Sequence, residues 1–241
     1  MEGEKEQEKF KKTLSKKMDE LKAEFEINPT MDTLIQIVVT YHMLGQTERG
    51  LGFADAILMQ LPDGKDKWFQ KGLIMGAVEH DVEALSYLDK ALECEPEDTQ
   101  ILHSKSMMLN KLGRFEDAIA VCDKSLELNP NDLQALSNKL VSLFGSKHHD
   151  DAFKLYQRSI AIKAEGVYAW HYKGTIDGLM AEYLIETRFE QNDTVSKKKV
   201  TESLKLIDNI IENFGSHVKT WYELGKHSGK ETYHRITTRK S

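Results

Sequence analysis

Apolar residues recur at helical spacing along most of this chain. Leu102, Met108, Leu109 and Leu112 share one helix face, and after a polar break Ala118, Val121, Cys122 and Leu126 share another. The chain shows no strand-like alternation. The unit predicted is therefore a helix, a short turn and a second helix. Three of the four prolines, Pro62, Pro96 and Pro130, stand 34 residues apart, each where a second helix must end because proline cannot continue it. A fixed period of this length signals stacked structural repeats in place of one globular core.

The period divides the chain into Met31–Gly64, Lys65–Asp98, Thr99–Asp132 and Leu133–Gly166. The twentieth position of each repeat is small (Gly50, Ala84, Ala118, Ala152), as a close contact between helices requires. The fourteenth and fifteenth positions read Leu44-Gly45 and Leu112-Gly113 in the first and third repeats.

Together these residues resemble the tetratricopeptide repeat family. Trp68, Gly72, Ala84, Leu88, Ala91 and Pro96 fit its pattern in register, as do Leu102, Leu109, Ala118, Ser125 and Pro130. Trp221, Leu224 and Gly225 restate the opening of the motif near the end. Val38 and Leu140, at the small eighth position, depart from the pattern, as do Ala164 and Gly215 at the closing proline. The resemblance implies an all-α fold, a right-handed α-solenoid of stacked antiparallel helix pairs.

Three segments depart from the plain array. In residues 1–30, Phe10, Leu14, Met18, Leu21 and Phe25 form one apolar stripe on a charged helix, read as a cap on the first repeat. A coiled-coil dimerisation helix is the alternative, and it would need more heptads. The fifth repeat, 167–217, is 17 residues too long. Leu179, Met180, Tyr183, Leu184 and Phe189 extend its first helix, Gln191 to Thr194 form a turn, and Val195, Val200 and Leu204 resume on the second helix. Lys197, Lys198 and Lys199 sit near that tip, either as a solvated face or as a docking patch for an acidic partner. The array closes with a single capping helix at 218–228, in which Trp221 and Leu224 pack inward on Leu206, Ile207, Ile210 and Ile211. A basic tail at 229–241 is expected to be mobile.

Composition narrows the function. A net charge of −6 argues against the basic footprint of nucleic-acid binding. No apolar run approaches membrane-spanning length, and the first residues lack the apolar segment of a secretory signal. Cys94 and Cys122 fall on second-helix core positions and read as buried thiols in a reducing, cytoplasmic compartment.

Catalytic, metal and cofactor assignments are all none. His148, His149, Asp150 and Asp151 read as a solvated turn with a helix N-cap before they read as metal ligands. Asp177 occupies a position that is apolar in every other repeat, and is expected to meet solvent or a basic group.

The resemblance also implies a concave groove lined by the first helix of each repeat. The candidate peptide-binding residues are Phe69, Leu73, His103, Met107, Asn110, Gln134, Asn138, Val141, Phe144, Tyr168, His171 and Tyr172. Six groove positions in each of five repeats make thirty, of which Asp32, Asp66 and Lys111 alone are charged, against 30% charged residues in the chain. Such a groove suits a peptide with apolar anchors, its backbone held by amides. The cations of a carboxylate clamp for chaperone tails are absent: His103, Met107, Tyr168 and Tyr172 flank Asn138. The function expected is a non-catalytic adaptor or co-chaperone-like scaffold. The alternative is a protein that self-assembles, for example as a homodimer, through its terminal helices.

Overall fold

A computed structural model describes residues 2–187 and 216–237. The second helix expected in the fifth repeat and Lys197, Lys198 and Lys199 lie outside the described residues. In chain order the helices are α1 (Glu2–Ile27), α2 (Met31–Met43), α3 (Thr47–Leu58), α4 (Lys65–Ala77), α5 (Asp81–Cys94), α6 (Thr99–Leu112), α7 (Phe115–Leu128), α8 (Leu133–Gly145), α9 (His149–Ile160), α10 (Val167–Thr187) and α11 (Ser216–Thr237). No strand occurs among the described residues. The fold is all-α, of the helical-repeat class.

The chain divides into two compact units, Met1–Ser104 and Lys105–Ser241. In the first, Leu34 and Val38 of α2 meet Leu51, Ala54 and Leu58 of α3, with Ile74 of α4 closing the cluster. Met18 and Leu21 of α1 pack on Ile37 and Tyr41 of α2. This is how a lone helix covers an apolar face that would otherwise be open. Leu14 is buried with this stripe, but Phe10, one turn earlier, is 53% exposed. In the second unit one cluster joins Leu136, Leu140 and Phe144 of α8, Tyr156 of α9, Ile176 and Met180 of α10, and Tyr233 and Ile236 of α11.

Helix starts are set by side chains that accept from unpaired backbone donors. Thr30 Oγ1 accepts from Thr33 N at 3.1 Å, and Asp132 Oδ1 accepts from Gln134 N at 2.9 Å and Ala135 N at 3.1 Å. Asp98 Oδ1 does the same for Gln100 N (2.9 Å) and Ile101 N (3.2 Å).

The turn inside each of the four regular repeats passes through the left-handed region at one fixed place: Gly45 (φ 73°), Glu79 (φ 64°), Gly113 (φ 76°) and Lys147 (φ 64°). Glycine takes this conformation without strain, whereas a side chain takes it at a cost. Lys147→Gly is therefore expected to raise stability by roughly 0.5–1 kcal/mol, read as a higher denaturant midpoint. An unchanged or lower midpoint would show that the turn is not strained.

Three sequence expectations need correction. Cys94 is exposed while Cys122 is buried, because Cys94 is the last residue of α5 and turns out of the contact. Helix α11 runs on to Thr237, past the end expected at residue 228. Tyr233 and Ile236 are 3% and 7% exposed, so the segment 229–237 is packed helix and no loose tail. Leu224, expected to pack inward, is 53% exposed. The side chain of Trp221 lies outside the described residues.

Candidate functional site

The candidate groove residues separate into three groups. Met107 and Tyr168 face solvent, at 46% and 68% exposure, and Gln134, Asn138, His171 and Tyr172 are half-buried. Asn110 and Val141 are buried, and so is Phe144 at 2% exposure. Phe69 and Leu73 are half-buried and His103 is buried, all in the first unit.

The buried members correct the expected lining. Phe144 meets Tyr233 of α11 edge to face, with centroids 5.4 Å apart, and Tyr183 of α10 at 5.1 Å. It is core, covered by a helix almost ninety residues further along the chain. Asn110 and Asn138 tie neighbouring first helices together. Asn110 Nδ2 donates to the Asn138 carbonyl at 3.0 Å, Asn138 Nδ2 donates to Ser106 Oγ at 2.8 Å, and Ser142 Oγ donates to Asn110 Oδ1 at 2.8 Å. Buried amides with satisfied partners fix register. The α6–α8 contact is thus held by a polar ladder, and that use competes with recognition of a peptide backbone.

Tyr172 packs against the core cluster and meets the His171 ring edge to face at 5.7 Å. Burial, then the nearby Asp132 and Tyr168, push its hydroxyl above the usual tyrosine range. It therefore stays a neutral donor at physiological pH. Beside it, the Tyr168 side chain is exposed.

The second-helix side of this unit carries a cleft of about 400 Å³ between Glu116, Ile119, Lys139, Leu143, His148 and Arg158. Its cations are already used. Lys139 pairs with Asp123 at 2.5 Å, Lys154 with Asp151 at 2.9 Å, and Arg158 donates to the Pro130 carbonyl. The His148 turn belongs to this cleft, and Lys154 holds the Asp151 carboxyl below the usual range.

Asp177, expected to meet solvent or a basic group, takes its hydrogen bond from a tyrosine, with Lys173 and Lys226 also acting on it. It is fully buried, and Tyr222 Oη donates to its Oδ2 at 2.9 Å. Burial pushes its carboxyl up to about 7, against the opposing pulls of Tyr222, Lys173, Tyr156 and Lys226. The group serves the α10–α11 contact, and no second carboxylate shares its site among the described residues.

That contact is unusually close. A Cβ at Gly174 would fall on the Tyr222 carbonyl oxygen and one at Gly178 on that of Lys226. From the other side, Cβ atoms at Gly225 and Gly229 would fall on the carbonyls of His171 and Thr175. Residue numbers rise together along the contact, so α10 and α11 run parallel with a pair of glycines four apart on each.

Residues 99–132 match the tetratricopeptide repeat family. No curated relative matches the chain. Among solved structures, a MamA fragment from Desulfovibrio magneticus aligns with a TM-score of 0.51 at 14% identity, covering 77% of this chain and 97% of that one. A double mutant of MamA gives 0.51 and 14%, covering 76% and 97%. A tetratricopeptide repeat protein from Parabacteroides merdae aligns over 93% of each chain at 0.49 and 14%. Identities this low bear on the fold alone. No helix among the described residues is long and apolar enough to cross a membrane.

Proposed function

We propose that this chain, a tetratricopeptide-repeat protein, is a non-catalytic scaffold that holds an extended or helical partner segment on the first-helix face of its second unit. The observation that supports this most is the exposure of Met107 and Tyr168 on first helices whose neighbours are locked by the Asn110–Asn138 ladder. A rigid face with open apolar and aromatic side chains loses little entropy when a peptide docks. The same reading sets the chain in a reducing, cytoplasmic setting as an adaptor, in keeping with its two free thiols.

Peptides selected on the folded chain from a random library are expected to bind at roughly micromolar affinity, near −8 kcal/mol. Met107→Ala combined with Tyr168→Ala should weaken them at least tenfold with an unchanged melting temperature, since both side chains are exposed. Undiminished affinity in that variant would sink this reading. A second reading, self-assembly as a homodimer, has the exposed Leu224 of α11 behind it. Sedimentation over a concentration series separates the two, because a scaffold of this kind stays monomeric.

A further inference from the structure

The two halves of α11 are held by different means. Residues 222–229 lie backbone to backbone on α10 through four glycines, and Tyr222 is fully buried. Residues 230–237 contain no glycine and hold on by side chains. Tyr233 seats on Phe144 and Tyr183, and Ile236 joins the same cluster. Lys230 at 3.4 Å and the His234 ring at 3.1 Å converge on Glu182, whose side chain is 10% exposed. His149 closes the seat, its ring stacked on Tyr183 at 4.9 Å. The far half therefore presents a short motif to the recess it fills: a lysine, an aromatic residue three positions on, and an aliphatic residue three beyond that. The near half would remain clamped if the far half left, since none of its glycine contacts involves residues 230–237.

We propose that the recess formed by Phe144, Tyr183, His149 and Glu182 is a docking site for an amphipathic helix of a partner protein. The last two turns of α11 occupy it as an internal ligand that the partner displaces. The partner helix carries the same chemistry as the resident segment: an aromatic and an aliphatic residue three apart, with a lysine, arginine or histidine aimed at Glu182. A helix laid in an apolar recess and anchored at such spacing is a recurring mode of recognition. An internal occupant lowers the apparent affinity of the partner by the fraction of time the recess is closed. This inference rests on the scaffold reading above.

The probe is a fluorescein-labelled peptide of residues 226–237, measured by anisotropy on the full chain. The double variant Tyr233→Ala with Ile236→Ala unseats the resident segment and should bind the probe at least tenfold more tightly than the unsubstituted chain. Equal binding by the two, or none by a variant with an unchanged helical spectrum, overturns the proposal. Hydrogen exchange on the unsubstituted chain provides a readout independent of how the variant folds. Amides of residues 230–237 should exchange at least tenfold faster than those of 222–229. Exchange of α11 as one unit would overturn the proposal. Dimers in which two copies trade their α11 segments would also overturn it, in favour of a second copy as the occupant. If library-selected peptides still depend on Met107 and Tyr168 while the α11 probe fails, this inference falls and the scaffold reading stands.

Discussion

Gly225→Ala is expected to destabilise the second unit by about 3 kcal/mol, at the upper end of what overpacking costs. The methyl group would fall on the carbonyl oxygen of His171 and crowd Thr175 N, both of them backbone atoms of α10. A flexible side chain could rotate away from an added methyl, but a helix backbone can respond only by moving the whole helix. Separating α10 from α11 would also stretch the Tyr222–Asp177 hydrogen bond, leaving a fully buried carboxyl poorly partnered. Gly52→Ala is the control. Gly52 lies inside α3 with nothing within 4 Å of its Cβ position, so alanine there should be neutral or stabilising by up to about 1 kcal/mol through helix propensity. Denaturant melts of the two variants decide the matter: if Gly225→Ala unfolds at the wild-type midpoint, the glycine contact is not tight.

The same glycines explain where the sequence was legible and where it was not. Inside the regular repeats, the residues that decide packing lie within one period of each other. Small residues such as Ala84 and Ala118, both fully buried, announce their contact locally. At the C-terminal end the deciding neighbours are far apart in sequence. Tyr222, Gly225, Gly229, Tyr233 and Ile236 make one stripe at three- and four-residue steps, so a signal for α11 was present. It was masked by two glycines, each costing roughly 1 kcal/mol in a helix interior, and by the charges of Lys226, Lys230 and Arg235 around them. Packing on α10 overrides that propensity. Phe144 fails as a groove residue for a related reason. Its place in the repeat implies exposure on the concave face, and only the helix that returns over it makes it core. Asp177 looked misplaced at an apolar position because its partner, Tyr222, is 45 residues away. Met107 and Tyr168 are exposed, as their places in the repeat imply, and Tyr172 is half-buried. The use of Asn110 and Asn138 as helix-to-helix ties was not legible, since the same amides serve recognition and register equally well.

The buried carboxyl also predicts how stability changes with pH. In the unfolded chain Asp177 titrates near 3.8, whereas in the folded chain burial raises it to about 7. Between these values the folded state holds a proton that the unfolded state has released, so stability falls as pH rises, by at most about a kcal/mol per pH unit. The contribution of the neutral acid is fully present below the lower value and is lost as pH passes through the upper one. His149, whose imidazole burial shifts below 6.5, acts in the opposite direction, because protonating it favours unfolding as pH falls. Its influence fades above its unfolded value, leaving pH 6.5 to 8 as the window governed by Asp177. Lys173 and Lys226 face the carboxyl and pull against its burial, which limits the size of the effect. The melting temperature should therefore drop from pH 6.5 to 8 in the wild-type chain. Asp177→Asn keeps the shape, accepts the Tyr222 hydroxyl through its amide oxygen and cannot ionise, so its melting temperature should stay flat across the window and exceed the wild type at pH 8. A parallel fall in both proteins would show that another group carries the pH dependence, and that Asp177 remains ionised in its buried place.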